Sequence, residues 1–182
     1  MAQPLIEKAR AWIEPYWNAE HLERTLDWLL ELEPNASEAL QLAALTHDME
    51  RFFPGGPQFD PASMQPGEAE YTRVHSERSA QIVGDWLSGN KADAALVNDV
   101  RGLLVLHETG GNPAADLLQA ADSLSFLEVN ADLVVKWAET GRCSHQRARK
   151  QHEWMFERIR LENARELAAP LYAAATSGLE SR

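Results

Sequence analysis

The chain has one cysteine, little positive charge and no long apolar run, and each shortage excludes something. Cys143 alone cannot close an internal disulfide, and no CxxC pair is present for zinc or thiol redox chemistry. Lys and Arg total 17 against 28 Asp and Glu, a net charge of −11. That balance argues against a nucleic-acid polymer as partner, because such binding depends on neutralising phosphates with Lys and Arg. No apolar stretch approaches the ~18 residues of a membrane span, so no membrane partner is expected. The opening MAQPLIEKARAW lacks the apolar core of a signal peptide. A domain of a reducing, cytoplasmic compartment is the expectation. Alternating apolar and polar residues, the mark of a half-buried strand, are missing too, and there is no internal repeat.

What remains is helical pattern throughout the 182 residues, which are enough for one domain with a substantial core. Asn18 is a candidate N-cap for a helix whose Leu22, Leu26, Leu29 and Leu30 recur at helical spacing until Pro34. Ser37 opens a second helix that runs to about Phe53. Between Pro54 and Gly67 stand four of the nine prolines and three of the ten glycines, a long loop suited to a lid or to specificity. Further helices are expected over about 68–87, 92–107 and 112–128, the last opened by Asn112-Pro113. A short helix over 132–139 and a long final one from Ser144 complete the chain. The prediction is all-α: one domain over 1–182, a bundle of six to seven helices.

His21, His47, Asp48, His75, His107 and Asp122 fall on the first five of these helices, and only His47 and Asp48 share one. Residues three and four apart lie on one helix face. By that rule His107 stands above Val100, Leu103 and Leu104. Asp122 lies between Leu118 and Phe126, and Asp48 between Ala44, Leu45 and Phe52. These are inward faces. A carboxylate there costs several kcal/mol unless it is paired, hydrogen-bonded or bound to a cation. Imidazoles and carboxylates together suit a divalent transition metal such as Mn, Fe, Co, Ni or Zn better than calcium.

The order H…HD…H…H…D, with THDMERFFPG, RVHSERSAQIVGDWL, LLVLHETGG and QAADSLSFLE around it, resembles the HD-domain metal-dependent phosphohydrolase superfamily. The likeness covers about residues 18–128. It continues more loosely through HEWMFERI in the C-terminal helices over about 132–175. It implies an HD-type helical bundle in which His21, His47, Asp48 and Asp122 hold one metal. Asp48 would bridge to a second metal completed by His75 and His107, giving two divalent transition metals per chain.

A metal lowers the pKa of the water it binds toward neutrality. The expected reaction is hydrolysis of a small phosphate ester such as a nucleotide. Asp48 is read as a bridging ligand in the catalytic set, with Glu50, Glu77 and Glu108 beside the ligands as acids or bases. Solvated helix faces account equally well for Glu50 and Glu77. Arg24, Arg51 and Arg78 each follow a ligand by three residues. Arg51 first and Arg78 second are candidates to clamp phosphate oxygens; pairing with nearby acids is the rival role. Two other functions share the scaffold: a di-iron oxygenase, which uses the same six ligands, and a non-catalytic binding module. The basic run RCSHQRARK reads as a solvated helix, and the spacing of His145 and His152 leaves them outside the metal set.

Overall fold

A computed structural model describes residues 4–180. Among them every regular element is helical: α1 (Leu5–Ile13), α2 (Ala19–Leu32), α3 (Glu38–Thr46), α4 (Ala69–Gly89), α5 (Ala94–Leu106), α6 (Pro113–Ser125), α7 (Ala131–Glu139), α8 (His145–Glu157) and α9 (Glu162–Glu180). The two helices beyond the expected seven are α1 and a split of the last one. After Glu157 the chain leaves the helix for four residues, with no proline or glycine to announce the break.

The helix ends follow the sequence closely. Ser37, Asp93, Asn112 and Ser144 each accept the backbone N–H three residues on, as N-caps do. Asn18 occupies the cap position of α2 without making that bond. Gly110 and Gly111 take φ of 62° and 117°, which lets the chain turn sharply after α5.

Helix α3 buries seven of its nine residues and packs against α1, α2, α5 and α6. A helix apolar on nearly every side belongs at the centre of a bundle. α4 lies along α5, and α2 along α6. A second cluster, with Ala120, Leu124, Met155 and Ile159 at its heart, joins α6 to the C-terminal helices. Between α6 and α7 the ladder widens into a π-helical turn, Phe126–Asn130. None of the helices described is long and apolar enough to cross a membrane.

The second predicted helix does not reach Phe53. α3 stops at Thr46, His47 is its C-cap, and a tighter 3-10 turn (Met49–Phe52) follows Asp48. Phe52 is therefore 42% exposed rather than on the inward face. The doublet straddles a helix end, and so does His107, the C-cap of α5.

Candidate metal centre

Those two helix ends decide which imidazole nitrogen faces inward. The last four carbonyls of an α-helix lack their usual donors. Ala44 O takes the Nδ1–H of His47 at 2.9 Å, and Leu104 O takes that of His107 at 2.6 Å. Other acceptors fix the remaining pair. Ser125 Oγ donates to His21 O at 2.8 Å, so it can only accept from His21 Nδ1, also at 2.8 Å. Glu50 Oε1 accepts from His75 Nδ1 at 2.7 Å. All four rings thus have Nδ1 engaged by an acceptor and aim Nε2 at the interior, the arrangement in which metal-ligating histidines are held.

The Nε2 atoms converge. His21 Nε2 and His47 Nε2 face each other at 3.3 Å. Asp122 Oδ1 completes the triangle at 3.2 and 3.5 Å. Three ligand atoms around one small cation, with bonds near 2.1 Å in tetrahedral array, stand about 3.4 Å apart. On the other side His75 Nε2 lies 3.1 Å from Asp48 Oδ1, out of line for a hydrogen bond. Neither His75 Nε2 nor His107 Nε2 has a hydrogen-bond partner, although both rings are buried. Ligand atoms of His21, His47 and Asp48 lie within 4.8 Å of one another, and so do those of Asp48, His75 and His107. Asp48 belongs to both groups. A cation that takes the place of the His47 proton would be met by these nitrogen and carboxylate atoms together. The residues fit a metal, and the buried His and Asp groups can hold one.

The electrostatics describe the same site without a cation. Burial opposes charge on His47, but the Asp122 carboxylate outweighs it and raises its pKa to about 9. Burial lowers His107 to about 4. Burial also disfavours the charged forms of Asp48 and Asp122. The guanidinium of Arg51 beside Asp48 and that of Arg158 beside Asp122 nevertheless hold both well below the usual carboxylate range.

The centre forms the floor of a cavity of about 420 Å³. His21, Asp48, Asp122, Glu108, Arg51 and Arg158 stand at its polar end. Phe59 from the proline-rich loop, Trp137 and, against the Arg158 guanidinium, Trp154 also line the cavity. Phe126 and Asn130, the two ends of the π-turn, also face it.

The description Domain of unknown function (DUF4202) matches residues 7–151 of the 182, a span that holds all six ligand candidates. The chain belongs to that family. No curated protein and no solved structure matches it.

Of the three arginines singled out by spacing, only Arg51 lines the cavity of this DUF4202 protein. It donates to Asp48 Oδ1 at 3.0 Å and to Tyr71 OH at 2.7 Å. Arg78 faces elsewhere. It donates to Glu50 Oε2 at 3.1 Å and to Pro54 O at 2.7 Å, bracing the carboxylate that orients His75. Arg24 is spent on Glu128 and Asp27. Glu50 is buried between His75 and Arg78, whereas Glu77 pairs with Arg73 on the surface. His152 lies apart, its Nε2 3.3 Å from Ala131 O.

The residue that spacing missed is Arg158, seven positions past the DUF4202 match. Its side chain is 6% exposed and bonds Glu108 Oε2 and Asp122 Oδ2, each at 2.5 Å, and Ser123 Oγ at 2.8 Å. Its guanidinium lies 4.5 Å from the centre of the Trp154 ring. The signal in sequence was HEWMFERI, where Trp154 and Arg158 stand one helical turn apart.

Proposed function

We propose that the protein is a metal-dependent phosphohydrolase of HD-domain type, acting on a small phosphate ester. One observation carries the reading. Four histidine Nε2 atoms and the carboxylates of Asp48 and Asp122 converge on the floor of a cavity whose wall also bears Arg51 and Arg158.

His21, His47, Asp48 and Asp122 would hold one divalent transition metal, and Asp48, His75 and His107 a second. The bound metals supply Lewis acidity and bring a water within reach of deprotonation at neutral pH. The chain's own residues do the rest. Glu50 and the two helix-end carbonyls hold Nδ1 of three imidazoles and keep their Nε2 atoms aimed inward. Arg51 spends Nε and NH1 on Asp48 and Tyr71, and its NH2 is the edge offered to a phosphoryl oxygen. The aromatic wall holds the organic part of the ester and excludes water from the polar end. The volume suits a small molecule.

The test is a phosphatase and phosphodiesterase screen over nucleotides and sugar phosphates, with untagged protein and several divalent metals under anaerobic conditions. Phosphate release that needs metal and disappears in Asp48→Ala is the expected result. Iron-dependent oxygen uptake without phosphate release would overturn the reading in favour of an oxygenase.

A further inference from the structure

Six residues complete the expected ligand set, but they share out unevenly. The His21 and His47 pair has a terminal carboxylate of its own in Asp122, besides the shared Asp48. The His75 and His107 pair has only the shared Asp48. Beside that second pair stands Glu108, the residue after His107, with its side chain 10% exposed. Its Oε1 is 3.9 Å from His75 Nε2 and 3.9 Å from His107 Nε2. Both of these buried imidazole nitrogens lack a hydrogen-bond partner.

Arg158 makes the parallel between the two halves explicit. Its NH2 takes the outer oxygen of Asp122, Oδ2, and its NH1 takes the outer oxygen of Glu108, Oε2. Each carboxylate is thereby turned so that its inner oxygen, Asp122 Oδ1 or Glu108 Oε1, faces one pair of histidines. One guanidinium thus aims two carboxylates into two half-sites. Each half then has two imidazoles and one carboxylate of its own, with Asp48 between them.

We infer that Glu108 is a seventh protein ligand, the terminal carboxylate of the second metal, and that Arg158 is the positioning residue for both terminal carboxylates. The inference rests on the metal-binding part of the proposed function and is independent of the reaction catalysed. It also explains why a glutamate in this position is tied to a residue fifty positions away, when a solvated side chain needs no such anchor.

The experiment is calorimetric titration of the metal-free full-length protein with Co²⁺, alongside circular dichroism to follow folding. Wild type is expected to bind two Co²⁺ per chain. Glu108→Gln should bind the first with unchanged affinity and the second on the order of ten- to a hundredfold more weakly. Glu108→Asp keeps the charge that faces Arg158 but withdraws the carboxylate by one methylene. It should show the same selective loss and decides the matter if the glutamine variant does not fold. Arg158→Met should weaken both sites. If both Glu108 variants bind two Co²⁺ as wild type does, or lose both sites equally, Glu108 is not a ligand and the six-residue centre stands without it. If wild type binds fewer than two Co²⁺, the second site itself is refuted; if it binds none, the metal reading of the proposed function falls with it.

Discussion

Replacing Arg158 with methionine in the metal-free protein isolates one buried charge from everything else at the site. Methionine keeps most of the buried volume, so the cavity contribution is small. What is lost is a guanidinium bonded to Glu108, Asp122 and Ser123, with all three charged side chains at most 10% exposed. Removing one partner of a buried ion pair costs about 3–5 kcal/mol, because the other charge stays buried without compensation. Asp122 is not left wholly alone. It keeps His47, whose proton it holds up to about pH 9. The burden falls mainly on Glu108, which puts the loss near the lower end, about 3 kcal/mol. For a chain of this length that is a fall in Tm of about 6–12 °C.

The pH dependence follows from the sign of the shifts. Arg158 is the main influence that lowers Glu108 and Asp122 against their burial. Groups with depressed pKa stabilise the fold above their unfolded values, about 4, and lose that contribution as pH falls through the folded ones. In the variant, burial of Glu108 is no longer answered by Arg158, so its carboxylate takes up a proton above the usual range, and the gap between wild type and variant should be widest near pH 7 and shrink by pH 4. Urea unfolding in EDTA, followed by far-UV circular dichroism at both pH values, measures it. A loss below about 1 kcal/mol at pH 7, or one equally large at pH 4, would refute the buried-pair account.

Three further outcomes are expected. In EDTA the wild-type Tm should peak near pH 6.5. His47, raised to about 9, gives stability that is complete below about 6.5 and lost as pH climbs to 9; His107, lowered to about 4, withdraws stability as pH falls below 6.5. A calorimetric scan series that stays flat from pH 6.5 to 9 contradicts this. Ser125→Ala removes the acceptor that fixes His21 and should weaken Co²⁺ binding on the order of ten- to a hundredfold while the fold survives; equal affinity would dispose of the tautomer argument. Arg51→Ala should lower kcat/KM for the phosphate ester by about ten- to a hundredfold at unchanged metal content, the worth of one hydrogen bond to a charged group. Unaltered kcat/KM removes Arg51 from phosphate recognition.

The all-α class and most helix starts were legible because capping is local chemistry. Ser37, Asn112-Pro113 and Ser144 announce helices within three residues of themselves. The ligand candidates were legible because their order and flanking apolar residues could be read one helix at a time. Three things were not legible, two of them because they depend on residues far apart in the chain. The break after Glu157 carries no proline or glycine, and Arg158 just beyond it has partners 35, 36 and 50 positions away. The early end of α3 turned on a 3-10 turn that the apolar pattern of Phe52 and Phe53 concealed. Arg78, one turn past His75, satisfied the spacing rule for a cavity arginine, yet Glu50 and the Pro54 carbonyl draw it the other way.

The acidic composition and a phosphate substrate are reconciled at this site by counting its charges. Asp48, Asp122, Glu108 and Glu50 bring four negative charges to the floor of the cavity and its supports. Arg51, Arg158 and Arg78, each bonded to one or two of them, return three positive charges. The remaining negative charge matches the proton that His47 keeps up to about pH 9. Without metal the cluster is close to neutral, which is why it can be buried at all. On the proposed reading two bound divalent cations would replace that proton, and the polar end would carry an excess of about three positive charges. That excess would be enough to attract a phosphate ester, and the arginines would need only to orient it. The net charge of −11 therefore bears on polyanionic partners, which need a basic surface, and not on a small ester drawn into a buried cavity.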